Sequence, residues 1–182
     1  SVEKRTFKRA DTINLVSSGF NNYVSRFESS ATISNFTNGI DNIFLDFKPQ
    51  EFNFIDKKLK ISYIGNIGGG QALEKIIPKA ALKHAKHIEF KIVGDGNAKE
   101  ALKQQIKKYN IKNITIEEPV DRSSLLQIYM NSDVLFLHLD GVEAFKKVLP
   151  SKLFEYAATN KPIIVIPAQI QSSLSRNKAI IL

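Results

Sequence analysis

The chain predicts an α/β fold, a Rossmann-like parallel sheet with helices on both faces. Three observations predict it. From Leu59 onward, strand-length and helix-length segments alternate along the chain. The longest apolar runs, such as 134–139 and 163–167, have the length of a strand. Loops with turn chemistry follow the strands, at Gly65, Gly94, Pro119 and Leu139. Parallel strands need crossover helices, so both sheet faces become covered. Ligands in such sheets sit at the carboxyl ends of the strands, which puts these four loops on one rim.

The elements follow in order. Residues 12–17 read as a short buried strand, 19–27 as a short helix and 31–34 as a second strand. Asn38-Gly39-Ile40-Asp41 is a turn by composition. Residues 46–58 lack periodicity, contain Pro49 and read as a linker packing its Phe residues locally. Regular alternation then begins: strand 60–65, a Gly-rich loop, helix 72–84, strand 88–94, helix 98–109, strand 114–117, helix 121–130 and strand 134–139. A helix starts at Pro150, strand 162–166 follows, and 179–182 begins another strand. No internal repeat or low-complexity tract is evident.

The 182 residues suit one compact domain, or one domain and part of another. With 43% hydrophobic and 24% charged residues, the chain has the makings of a normal core. It lacks cysteine, which excludes disulfides and thiolate metal sites and fits a reducing compartment. No apolar run approaches the roughly 20 residues of a membrane helix. The chain starts at Ser1 and shows no signal peptide, which suggests a fragment or a processed chain. A net charge of +8 is met by scattered surface lysines, and it also suits an anionic membrane or a phosphorylated ligand. No basic stripe interleaved with aromatics is present, so no nucleic-acid partner is expected.

The rim carries the chemistry. Gly65-Asn66-Ile67-Gly68-Gly69-Gly70 follows a strand and precedes a helix, where glycines let the backbone approach a ligand. It lacks the Gly-Lys-Ser/Thr of a Walker loop and the spacing of the dinucleotide fingerprint. Val93-Gly94-Asp95-Gly96 ends the next strand, and taken alone it is a turn with Asp95 capping the helix. His84, His87 and His138 do not have metal-site spacing. His84 and His87 read as surface residues, and His138 as a satisfied core or rim histidine. Asp140 and Glu143 read as solvated rather than as sugar ligands. In Pro150-Ser151-Lys152-Leu153-Phe154-Glu155-Tyr156, one helix face carries Lys152 and Glu155. A helix start with a cation and a carboxylate suits a sugar nucleotide: backbone N–H groups meet the phosphates, Lys152 adds charge, and Glu155 accepts ribose hydroxyls.

The ordered set of motifs is more specific than any one of them. Val16-Ser-Ser-Gly-Phe20, Asn38-Gly-Ile-Asp41, Tyr63-Ile-Gly-Asn66, Val93-Gly-Asp-Gly96, Asn131-Ser-Asp-Val-Leu-Phe136 and Pro150-Ser-Lys-Leu-Phe-Glu155 follow one another over residues 11–168. The chain resembles family 4 retaining glycosyltransferases of the GT-B fold, of the bacterial surface-polysaccharide type with a Pro-Ser-Lys-x-x-Glu donor loop. The resemblance implies that 1–45 is a remnant of the N-terminal acceptor domain and that 46–58 is the linker. Residues 59–182 would then be the nucleotide-sugar-binding domain, truncated at its carboxyl end.

Carried over by residue, the resemblance gives Glu155 the donor ribose. The first of the family's paired glutamates falls at Lys147, and its cationic diphosphate clamp falls near Asn66 and Gln71. Lys152 is then the remaining phosphate cation, helped by backbone amides at Leu153 and Phe154. Gly94, Asp95, Gly96 and the Pro119-Val120 loop would approach base and ribose. Gly65, Asn66, Gly68, Gln71 and Ser151 complete the expected site. The resemblance implies no cofactor and no metal; the donor substrate is a nucleotide-diphosphate sugar, and the sugar passes with retention to a glycan or lipid-linked acceptor. It further implies a cytoplasmic protein in peripheral contact with an anionic membrane. The exposed inter-domain face is a surface for self-association, and the oligomeric state stays open. Two alternatives stand beside this reading: an inactive GT-B half serving as a binding module, and a nucleotide-sugar epimerase of the same fold.

Overall fold

The computed structural model describes residues 2–27, 30–45, 58–140, 150–166 and 180–181. Its first part begins with helix α1, Val2–Arg9, which was not anticipated. Glu3 in its first turn and Lys8 and Arg9 in its last agree with the helix dipole. Strands β1 (Thr12–Leu15) and β2 (Thr32–Asn35) pair in parallel as a small sheet of their own. The helix expected at 19–27 is broken into a 3-10 turn at Ser18–Phe20, helix α2 at Asn21–Val24 and a 3-10 turn at Ser25–Phe27. The cause is local. Ser17 accepts a hydrogen bond from the Gly19 amide, and the Ser25 hydroxyl donates to the Asn21 carbonyl, so side chains compete with the helical ladder. A short helix α3, Asn42–Leu45, ends this part. The expected linker lies, except for Lys58, outside the described residues.

The second part alternates as expected: β3 (Leu59–Ile64), α4 (Leu73–Lys83), β4 (Ile88–Val93), α5 (Lys99–Lys108), β5 (Ile114–Glu117), α6 (Arg122–Met130), β6 (Val134–His138), α7 (Ser151–Ala158) and β7 (Ile163–Ile166). These strands form one sheet in the order β5-β4-β3-β6-β7, all parallel. Strand β8, Ile180–Ile181, adds to β7 and runs antiparallel. This is the Rossmann-like arrangement that the sequence predicts.

Each sheet face has its own core. On one, Ile61, Tyr63, Phe90 and Ile92 pack against Leu73, Ile77 and Ala81 of α4 and Leu102 of α5. On the other, Ile64, Val93, Leu135 and Leu137 pack against Ile128 and Tyr129 of α6, Tyr156 of α7 and Phe44 of α3. Strand β6 is buried along its whole length, as a strand covered on both faces must be. Strands β3, β4 and β5 differ on that face. Lys60, Ser62, Glu89, Lys91, Thr115 and Glu117 share the α6 side of β3, β4 and β5 and line a polar groove of about 760 Å³. Lys91 and Glu117 pair across it at 2.9 Å. The period-two alternation puts polar side chains on that part of the face, where Ser62 is buried against Ser132 and Lys91 and Glu117 stay partly exposed. Among the described residues, no helix is long and apolar enough to cross a membrane.

Candidate functional site

Strands β3 and β6 part at the rim. Their pairing is confined to Ile61 with Val134 and Ser62 with Leu135, whereas β3 and β4 stay paired to Ile64 and Val93. The strand order reverses at this split, where open α/β sheets bind ligands. Beside it, over the carboxyl ends of β3 and β4, a cleft of about 340 Å³ opens, and Gly65, Asn66, Gly94, Asp95, Val120 and Lys152 line it. Pro119 and Leu125 also face it.

Two glycines make this cleft. Gly65 and Gly94 have φ of +145° and +150°, a region that L side chains rarely adopt. The Gly65 amide donates to the Val93 carbonyl at 2.8 Å, and a Cβ on Gly94 would fall onto the Gly65 carbonyl oxygen. A Cβ on Gly65 would lie 2.6 Å from Lys152 Nζ, so the lysine side chain crosses directly over that glycine. Burial pushes the Lys152 ammonium below the ordinary lysine range, with Glu155 opposing the shift and Arg122 adding to it.

The loop after Gly65 is held from several sides. The Gln71 side-chain oxygen accepts from the Asn66 amide group and from the Gly68 N–H, both at 3.2 Å. The expected clamp positions therefore hold a pair of neutral amides bonded to each other. Gly96 lies against Asn66 and the Ile67 carbonyl. His138, buried at the end of β6, has Nδ1 2.5 Å from the Gln71 carbonyl oxygen, and it is the satisfied rim histidine that was expected. Burial lowers its pKa. His84 and His87 are exposed at the end of α4.

Two readings change. Asp140 is not simply solvated: it pairs with Lys75 at 2.6 Å, and its amide donates to Gly70. Asp95 does not cap α5, whose first residue follows Ala98 with no side-chain cap. Asp95 instead lies 3.7 Å from the buried Lys99 amine, which also bonds Glu118 at 2.7 Å. Lys99 thus ties together the β4–α5 and β5–α6 loops, the two lips of the cleft. Glu143 and Lys147 lie outside the described residues.

The Pro150 run divides. Pro150 stands one residue before α7, as its cap in extended conformation, so the helix itself starts at Ser151. Ser151 is exposed. Leu153 and Phe154 turn their side chains to an apolar groove with Ala157, Pro162 and Ile163, away from the cleft. The Leu153 amide donates to the Pro150 carbonyl at 3.0 Å, so the α7 turn already uses one of the amides expected for phosphate. Glu155 stays partly buried, its side chain 16% exposed. Tyr129 donates to its Oε2 at 3.2 Å, and Arg122 Nη2 lies 3.5 Å from Oε1.

The sequence reading missed Arg122 and Tyr129. A signal was present. They stand seven residues apart on α6, which puts them on one helix face. Arg122 also follows the cap residue Asp121, where a cation opposes the helix dipole and needs a carboxylate partner.

Residues 46–179 match the family described as glycosyl transferases group 1. The chain belongs to this family.

Solved structures agree with that membership in fold. A mutant of S. aureus TarM, in complex with fondaparinux, α-GlcNAc-glycerol and UDP, aligns with TM-score 0.71 and 12% identity, over 90% of this chain and 32% of that one. Sucrose-phosphate synthase from Thermosynechococcus elongatus aligns with TM-score 0.69 and 17% identity, over 94% and 45%. Anabaena HepE, in complex with UDP and glucose, gives TM-score 0.71 and 13% identity, over 93% and 49%. The group 1 chain thus spans less than half the length of each of these structures. No curated protein matches it in sequence.

Proposed function

We propose that the chain is the donor-binding half of a retaining glycosyltransferase of the family 4, Pro-Ser-Lys-x-x-Glu kind. Residues 1–45 belong to its acceptor domain, 46–58 form the linker and 59–182 bind the nucleotide-diphosphate sugar. The observation that carries this reading is the Lys152 side chain lying over Gly65 at the split between β3 and β6, in a chain of the glycosyl transferases group 1 family. UDP in two of the solved neighbours supports a nucleotide ligand.

In this reading the diphosphate lies along Gly65, Asn66 and Gly68 with Gln71 behind them. Lys152 neutralises its charge in a partly buried site, where the interaction is stronger than in water. Ser151 and the start of α7 add the helix N-terminus. Gly94, Asp95, Gly96 and Val120 border base and ribose, and Glu155 accepts ribose hydroxyls. The bond from the anomeric carbon to the diphosphate oxygen breaks, and the acceptor oxygen bonds to the same face of that carbon. The acceptor proton leaves with the diphosphate. Catalysis rests on positioning and on charge stabilisation of the leaving group, with no cofactor. The acceptor is a glycan or lipid-linked saccharide of polysaccharide assembly. The basic chain would work in the cytoplasm against an anionic membrane surface.

Calorimetric titration with UDP, GDP and TDP, with and without magnesium, tests this. Saturable, metal-independent binding of one of them is expected. A charged hydrogen bond contributes about 1.5–3 kcal/mol, so Lys152→Ala and Glu155→Ala should each weaken binding roughly tenfold or more. Absence of binding to all three, or unchanged affinity in both variants, would overturn the reading.

A further inference from the structure

Both oxygens of Glu155 are engaged, and each partner is backed by the same short segment. Arg122, 3.5 Å from Oε1, is ion-paired through Nε with Asp41, and its guanidinium carbon lies 6.0 Å from the Phe44 ring centre. Tyr129, which donates to Oε2, packs its ring against Phe44 at 5.8 Å and edge-on against Tyr156 at 5.6 Å. Phe44 has no exposed surface. Two routes therefore run from residues 41–44 to one carboxylate, one through charge and one through packing.

We infer that Asp41 and Phe44, acting through the positioning residues Arg122 and Tyr129, set the orientation of the Glu155 carboxylate. The inference rests on the reading that Glu155 binds ribose. A carboxylate turns easily about its last torsion and offers about four acceptor positions. A donor on each oxygen fixes the plane and leaves the remaining lone pairs aimed in set directions. The Asp41–Arg122 pair is half-exposed on both sides, so it adds little to stability. Its consequence is geometric. Residues 41–44 lie in the chain between the β1–β2 sheet and the β3–β8 sheet, so a displacement of that segment is felt at the ribose carboxylate.

The test compares UDP and GDP with their 2′-deoxy and 3′-deoxy forms by calorimetry on the full chain. Wild type should prefer the ribo form about tenfold, and Glu155→Gln should lose that preference. Tyr129→Phe, Arg122→Gln and Asp41→Asn should each cut the preference at least threefold, while affinity for the deoxy form stays within twofold. A purely structural role would weaken both forms equally. Tyr129→Phe and Asp41→Asn nearly keep side-chain volume, Arg122→Gln shortens a half-exposed side chain, and circular dichroism checks each fold. If Glu155→Gln abolishes the preference but the other three keep it, the inference is overturned and the ribose reading stands. If wild type shows no preference, or Glu155→Gln retains it, the ribose reading falls and takes the inference with it.

Discussion

The hydroxyl of Tyr156 accepts a hydrogen bond from the backbone N–H of Ile64, 3.3 Å away in the space where β3 leaves β6. Ile64 donates on the β6 side of its strand, but its pairing to β6 has already ended at Ser62. A tyrosine from α7 supplies the missing acceptor. The split would otherwise strand a buried amide.

Tyr156→Phe isolates that bond, because the ring keeps its edge-on contact with Tyr129. Leaving the Ile64 amide unsatisfied should cost about 1–3 kcal/mol. Urea unfolding should show a lower midpoint with an unchanged slope. A change below about 0.5 kcal/mol, the range of an ordinary surface substitution, would show that water or another group replaces the hydroxyl.

Gly94→Ala should be far worse than Gly69→Ala. At Gly94 a Cβ meets the Gly65 carbonyl and φ is +150°, whereas at Gly69 nothing lies within 4 Å of the added carbon. The strained conformation alone costs about 1–3 kcal/mol, and the clash adds to it. Gly69→Ala should stay within about 0.5 kcal/mol of wild type. Paired thermal melts check this; equal losses would mean that the rim backbone moves freely enough to take a side chain at Gly94.

What could be read in the sequence and what could not follow the range of the forces involved. Strands β3 to β7 were readable because their apolar runs and the Gly or Pro after them are local signals. The Gly65 and Gly94 turns were readable for the same reason, since φ belongs to one residue. The break inside 19–27 was missed because apolar spacing hides the competing serine bonds of Ser17 and Ser25. Arg122 and Tyr129 were missed because their partner, Glu155, is 33 and 26 residues away in the chain. Leu153 and Phe154 enter the expected site through their backbone amides, while their side chains face the groove beside Pro162 and Ile163, since successive helix residues are about 100° apart. Lys152 and Glu155, three apart, do share a face.

Asp121 gives an acid-side prediction. The Ser123 hydroxyl and then the Ser124 amide, at 2.8 Å, hold its carboxyl down at about 2, from an ordinary 3.8. A depressed carboxylate contributes stability that is fully present above its unfolded value and is lost as pH falls through the folded one. The window is therefore about pH 4 to pH 2. Asp121→Asn can still cap α6 through its side-chain oxygen but does not titrate, so its unfolding midpoint should fall less than that of wild type across this window. Parallel decline of the two proteins would remove Asp121 as a source of the acid sensitivity.

Lys152 gives the opposite pair of signs on the alkaline side. Burial lowers its pKa from 10.5, so above the shifted value the folded chain holds fewer protons than the unfolded one. Stability attributable to this group should therefore rise with pH between the folded and the unfolded value. Under the proposed function diphosphate affinity should move the other way, because deprotonation would remove the cation assigned to the diphosphate. Titrations at rising pH, below the ordinary lysine value of 10.5, should show wild-type affinity falling as the lysine loses its charge. Lys152→Met, already weak, should show no such fall, and its stability should lack the alkaline gain. If affinity declines equally in both proteins, the titrating group lies elsewhere and Lys152 is only an aliphatic cover for Gly65.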